Sequence, residues 1–146
     1  MQYPKSFDQF SYAEIKESVI NNLKSDNLHV AISSATVLQT NGFIEDVPLY
    51  ASFDTVTTPW QVRALMNGAV LTHTALYFTK SKVAFTERIR KNMKDADSPY
   101  EKAAYVNAIS KDPYNYALLG QIYSSEKDPI IKITALEGIG NILKNP

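Results

Sequence analysis

Cysteine is absent from the 146 residues, so neither a disulfide scaffold nor a thiolate metal site can be built. No compartment follows from that absence, because a cysteine-free chain persists in oxidising and reducing surroundings alike. Charge of one sign is not in excess either: Lys and Arg together number 15, and so do Asp and Glu. Nucleic-acid binding rests on surplus positive charge facing phosphates, so this balance argues against it as the main role. Long hydrophobic runs are missing, and nothing approaches the roughly 20 apolar residues of a membrane span. The opening stretch MQYPKSFDQFSY lacks the apolar centre of a secretory signal.

Chemistry-bearing residues are equally sparse. The two histidines are His29, at the start of a helical stretch, and His73, within Leu71-Thr72-His73-Thr74-Ala75. Neither has a carboxylate at metal-ligand spacing, and a His-Glu-x-x-His pattern is absent. With no cysteine and no supported histidine, an activated nucleophile has no base to hold it. Glycine numbers five and forms no phosphate-cradling loop; Gly138-Ile139-Gly140 falls in a helical stretch, where both glycines are expected to allow close packing. The sequence offers no catalytic residue, no metal site and no cofactor site.

What the chain does contain is helix starts. Ser11-Tyr12-Ala13-Glu14, Thr58-Pro59-Trp60-Gln61 and Ser98-Pro99-Tyr100-Glu101 each place a hydroxyl three residues ahead of Glu or Gln. This is the capping box, in which the two side chains satisfy orphan amides of the first turn. Asp112-Pro113 and Asp128-Pro129 supply carboxylate caps suited to the positive end of the helix dipole, and Asp26-Asn27 starts one more. Apolar residues then recur every three to four positions, as in Leu28, Ile32, Ala35 and Leu38, with Asn41-Gly42 as a C-terminal stop. No stretch alternates with a period of two. The reading is all-α, with helices near 11–25, 27–40, 44–54, 59–79, 82–94, 99–110, 113–124 and 129–144. The last of these is apolar nearly all round and should be covered on most sides.

The helix starts also repeat. Thr58-Pro59-Trp60-Gln61-Val62-Arg63-Ala64, Ser98-Pro99-Tyr100-Glu101-Lys102-Ala103-Ala104 and Asp128-Pro129-Ile130-Ile131-Lys132-Ile133-Thr134-Ala135 share a cap, a proline, a basic residue and then small and apolar residues. This pattern resembles the second helix of a HEAT repeat. The resemblance implies one domain, residues 1–146, built as an armadillo-like α-α superhelix, a solenoid of about four helix pairs that bury their faces by stacking. A narrower likeness joins the block from Ser98 to Ile139 to helical-repeat regions that accompany cyclophilin-type peptidyl-prolyl isomerases in multidomain Bacteroidetes proteins. The isomerase barrel itself has no counterpart, so no catalytic residue carries over. The ending Ile142-Leu143-Lys144-Asn145-Pro146 follows an apolar stretch without a polar cap, which suggests a segment of a longer chain whose compartment is set elsewhere.

Two features point to binding. Residues 80–94 hold Lys80, Lys82, Arg88, Arg90, Lys91 and Lys94 against Glu87 alone, and Arg88, Lys91 and Lys94 share one helix face. Such a face suits an acidic partner or a neighbouring domain of the same chain. Tyrosine numbers nine, and Tyr100 and Tyr105 belong to a cluster in the last third that could line a groove with Trp60. The expected role is a non-catalytic scaffold for a protein or peptide, with Trp60, Arg88, Lys91, Lys94, Tyr100 and Tyr105 as candidate contacts. The alternative is an accessory domain positioning substrate for a cyclophilin-type isomerase.

Overall fold

The computed structural model describes the backbone of residues 5–75 and 78–144, and side chains from residue 14 onward within those ranges. All regular secondary structure among the described residues is helical, with no strand. The helices are α1 (Lys5–Asn22), α2 (Leu28–Asn41), α3 (Val47–Ala51), α4 (Trp60–His73), α5 (Thr79–Asp95), α6 (Pro99–Ile109), α7 (Tyr116–Ser125) and α8 (Pro129–Lys144). Single turns of 3-10 helix, Ile44–Asp46 and Pro113–Asn115, lead into α3 and α7.

The even-numbered helices form the spine: α2 packs on α4, α4 on α6, and α6 on α8. Each odd helix packs on the even helix that follows it, which gives four successive helix pairs among the described residues. The core lies between the two layers. Its fully buried side chains include Tyr50, Val62, Met66, Leu71, Ile89, Tyr105, Ile109 and Leu119. Ala31, Ala35, Ala64, Ala69, Ala108 and Ala135, all on even helices, are buried, and side chains this small permit close approach of helices.

Three helix starts behave as their sequences indicate. Asn27 Oδ1 accepts from the amides of His29 and Val30, Ser98 Oγ from Glu101 N at 3.1 Å, and Asp128 Oδ1 from Ile130 N at 2.9 Å. The Ser98 box is shifted by one, because Glu101 Oε1 returns to Asp97 N. Asp112 caps too, but the turn it opens is 3-10, and α7 begins only at Tyr116.

Other expectations fail. Ser11 lies inside α1, so its box starts nothing. Thr58 turns its hydroxyl to Thr55 Oγ1, leaving the first turn of α4 without a side-chain cap. The expected helix 44–54 is short: a 3-10 turn and five α-helical residues. The expected helix 59–79 stops at His73, where Thr74 turns to an extended conformation, φ −70° and ψ 133°, while its hydroxyl donates back to the Val70 carbonyl. Leu76 and Tyr77, also within that expected helix, and the terminal Asn145 and Pro146 lie outside the described residues.

Gly42 is not in the left-handed region; its φ is −79°. It is needed for space, since a Cβ there would collide with the Tyr50 hydroxyl and the Leu38 carbonyl. Gly138 likewise lets α8 approach Ser110, whereas Gly140 faces open space and serves no contact. Helix α8 is covered on one side only. It buries Ile131, Ala135 and Gly138 and leaves Ile133, Leu136 and Leu143 exposed.

Candidate peptide-binding groove

Asp54 follows α3, and its carboxylate is 2% exposed. A buried carboxylate is costly unless donors surround it. Here α4 and α5 bring four. Oδ1 accepts from Arg63 Nε at 2.9 Å, Asn92 Nδ2 at 2.7 Å and Asn67 Nδ2 at 3.2 Å, while Oδ2 pairs with Arg88 Nη2 at 2.7 Å. The donors are themselves braced: Arg63 Nη2 donates to Asn92 Oδ1 at 2.7 Å, and Asn92 Nδ2 to Asn67 Oδ1 at 3.1 Å. Burial pushes the Asp54 carboxyl up, but hydrogen bonds from Arg63, Asn67 and Asn92 and the charge of Arg63 outweigh it and hold the pKa below the usual carboxylate range.

This network is the floor of a cleft of about 690 Å³ bounded by the start of α4, the second half of α5 and the start of α6. Trp60, Arg63, Arg88, Lys91 and Tyr105 line it. Tyr105 is fully buried, and its hydroxyl finds no hydrogen-bond partner of good geometry, although the Arg63 guanidinium is close enough to influence it. Burial pushes the Tyr105 phenol up, so it keeps its proton at neutral pH. On the far rim stand Asp95, Asp97 and Glu101, at the α5–α6 turn.

Two shallower hollows continue the cleft. One, at the α1–α2 turn, shares Thr57, Thr58 and Pro59 with it; the other, at the α7–α8 turn, shares Asp97. The three hollows lie along the turns that close the four helix pairs.

Of the six residues singled out from the sequence, Trp60, Arg88, Lys91 and Tyr105 meet at this cleft. Lys94 is exposed and Tyr100 projects into solvent at 66% exposure; neither lines it. The basic surplus of α5 also divides. Lys82 is buried, 3.8 Å from Asp112, Arg90 pairs with Glu87, and Arg88 is drawn to Asp54, so the helix does not present one uniform basic face.

Asp54, Arg63, Asn67 and Asn92 went unread in the sequence. Their partners lie 9 to 38 positions apart, beyond any local motif. A signal did exist for Asn67, an amide inside the apolar run Met66 to Val70, where burial forces a partner on it. Asn92 offered the same hint, three residues after the core residue Ile89.

Among the described residues no group of three His, Asp or Glu side chains could hold a metal ion, and no helix is long and apolar enough to cross a membrane. Compared with family models, curated proteins and solved structures, the chain matches none.

Proposed function

We propose that this chain is a HEAT-like solenoid that acts as a non-catalytic scaffold and holds an extended protein or peptide segment in the hollows at the turns of its helix pairs. The observation that carries the reading is the cleft at its centre. An aromatic anchor, Trp60, stands beside Arg88 and Lys91 over a floor held rigid by the Asp54 network. Aromatic and arginine side chains around a desolvated centre are what concentrates binding energy at protein interfaces. Supporting the solenoid are the spine of even helices with odd helices laid against it and the repeated cap-proline starts of α6 and α8. The spread of the hollows favours a chain in extended form over a compact ligand, since they pass all four pairs.

The test is selection of random heptapeptides on the intact chain, followed by titration with the selected peptides. Trp60 is the sole tryptophan, so its fluorescence reports occupancy directly. Binding should be saturable and, measured by isothermal titration calorimetry, which needs no tryptophan, should weaken at least about tenfold in Trp60→Ala, the range of an interface anchor. Peptides that bind the variant equally well would place the contact elsewhere.

A further inference from the structure

The inner wall of the cleft has donors to spare, and its one carboxylate acceptor, Asp54, is already saturated. Asp54, the acceptor of the floor, already takes four donors. Arg63 makes two side-chain bonds, to Asp54 and Asn92, and a guanidinium carries more N–H groups than that. Arg88 reaches Asp54 through Nη2 alone, at the carboxylate and, at 3.5 Å, the carbonyl. Lys91 makes no ion pair among the described residues and lines the same wall. No side chain caps the first turn of α4, which opens here at Trp60. Orphan amides and the positive end of the helix dipole therefore face the cleft.

The independent sign of a missing ligand is Tyr105. It is fully buried, lines the cleft and carries a hydroxyl with no partner of good geometry. Even a guanidinium N–H from Arg63 directed at its oxygen would leave the phenolic proton unplaced, because arginine cannot accept. A buried donor of this kind calls for an acceptor.

We infer that the floor of the cleft takes one carboxylate of an extended peptide, received by the Tyr105 hydroxyl, Arg63, Arg88, Lys91 and the open first turn of α4. The inference rests on the peptide-binding reading above and names its chemistry. A single negative charge fits better than a phosphate. On the inner wall Arg63, Arg88 and Lys91 stand against Asp54 alone, but with Asp95, Asp97 and Glu101 the whole lining carries three positive charges to four negative, so a second negative charge on the ligand would go uncompensated. Asp95 and Asp97 are exposed on the rim, where water screens them, and they favour a lysine or arginine of the peptide beside its carboxylate.

The carboxylate has two sources, an Asp or Glu side chain or the chain terminus. Heptapeptides displayed with a free C-terminus and others with the C-terminus tethered separate the two. Selected sequences are then synthesised with Glu→Gln or Asp→Asn changes, with a C-terminal amide, and with phosphoserine at the acidic position, and titrated against Trp60 fluorescence. Neutralising the key carboxylate should weaken binding about tenfold or more, the worth of a charge-assisted bond. Tyr105→Phe removes only an unpaired hydroxyl, so it should melt no lower than the parent chain yet lose about tenfold in affinity for the acidic peptide. It should bind the amide version as the parent does. Lys94→Ala, outside the cleft, should change neither. Equal binding of acid and amide forms, an unaltered affinity in Tyr105→Phe, or a clear preference for phosphoserine would overturn the carboxylate while leaving peptide binding intact. Recovery of no peptide that distinguishes the parent from Trp60→Ala would remove both.

Discussion

A carboxylate as deeply placed as that of Asp54 stays ionised only because every donor in its shell is in position, and this makes it sensitive to acid. Its folded-state pKa is lowered, so between that value and the unfolded one the unfolded chain holds the extra proton and stability rises with pH. The contribution is complete above the unfolded aspartate value of about 3.9 and is lost as pH falls through the lowered folded value. Asp54→Asn should cost about 3 kcal/mol at neutral pH, since it leaves Arg63 without its buried partner. It should also flatten the fall in stability as pH drops below about 4, the unfolded aspartate value. Urea unfolding of both chains across that range measures it, and parallel pH profiles would show that another group carries the acid response. At this scale the sequence was least informative. Trp60, Arg88, Lys91 and Tyr105 could be picked by residue type and local pattern, but Asp54 sits in Phe53-Asp54-Thr55 with nothing nearby to announce its partners.

Helix starts show how far a local motif can be trusted. Ser98 and Thr58 head similar sequences, yet only Ser98 caps, because Thr58 is drawn into hydroxyl contacts within the 55–58 turn. Ser98→Ala should therefore lower stability by about 1 kcal/mol, and Thr58→Ala by a few tenths at most. Equal losses in thermal melts would contradict the assignment. The same contrast exists within α8. A Cβ at Gly138 would come within 2.8 Å of Ser110 Cβ, which backbone fixes, whereas at Gly140 it would meet nothing within 4 Å. Gly140→Ala should stabilise by about 0.5–1 kcal/mol through helix propensity, and Gly138→Ala should destabilise despite the same propensity gain. Sequence alone treats the two as equivalent. Their difference is set by which face of α8 meets the turn after α6, and that is decided by packing rather than by spacing.

At the scale of the molecule, helicity and the count of eight α-helices among the described residues were legible because caps and three-to-four-residue periodicity are local. The order of stacking was suggested by the repeated starts but comes from where each apolar face finds a neighbour. Helix α8 illustrates the limit: its composition suggests enclosure, while the fold covers only the stripe through Ile131, Ala135 and Gly138. Ala135 is fully buried against the spine, so Ala135→Arg should destabilise by about 3–5 kcal/mol through an unpaired buried charge. Circular dichroism melts would register this as a lowered midpoint, and an unchanged one would mean that α8 does not dock as described. The Asp54 shell has a mechanical consequence at the same scale. Its bonds are directional and tie the second pair, through Arg63 and Asn67, to the third, through Arg88 and Asn92. The join of α6 to α8 relies on the packing of small and aliphatic side chains, which yields to sliding more readily than a bond yields to bending. Under load the molecule would flex at its last pair while its middle behaves as a stiff joint. A segment bound in the central cleft, as proposed, would thus feel little of any strain imposed on the ends.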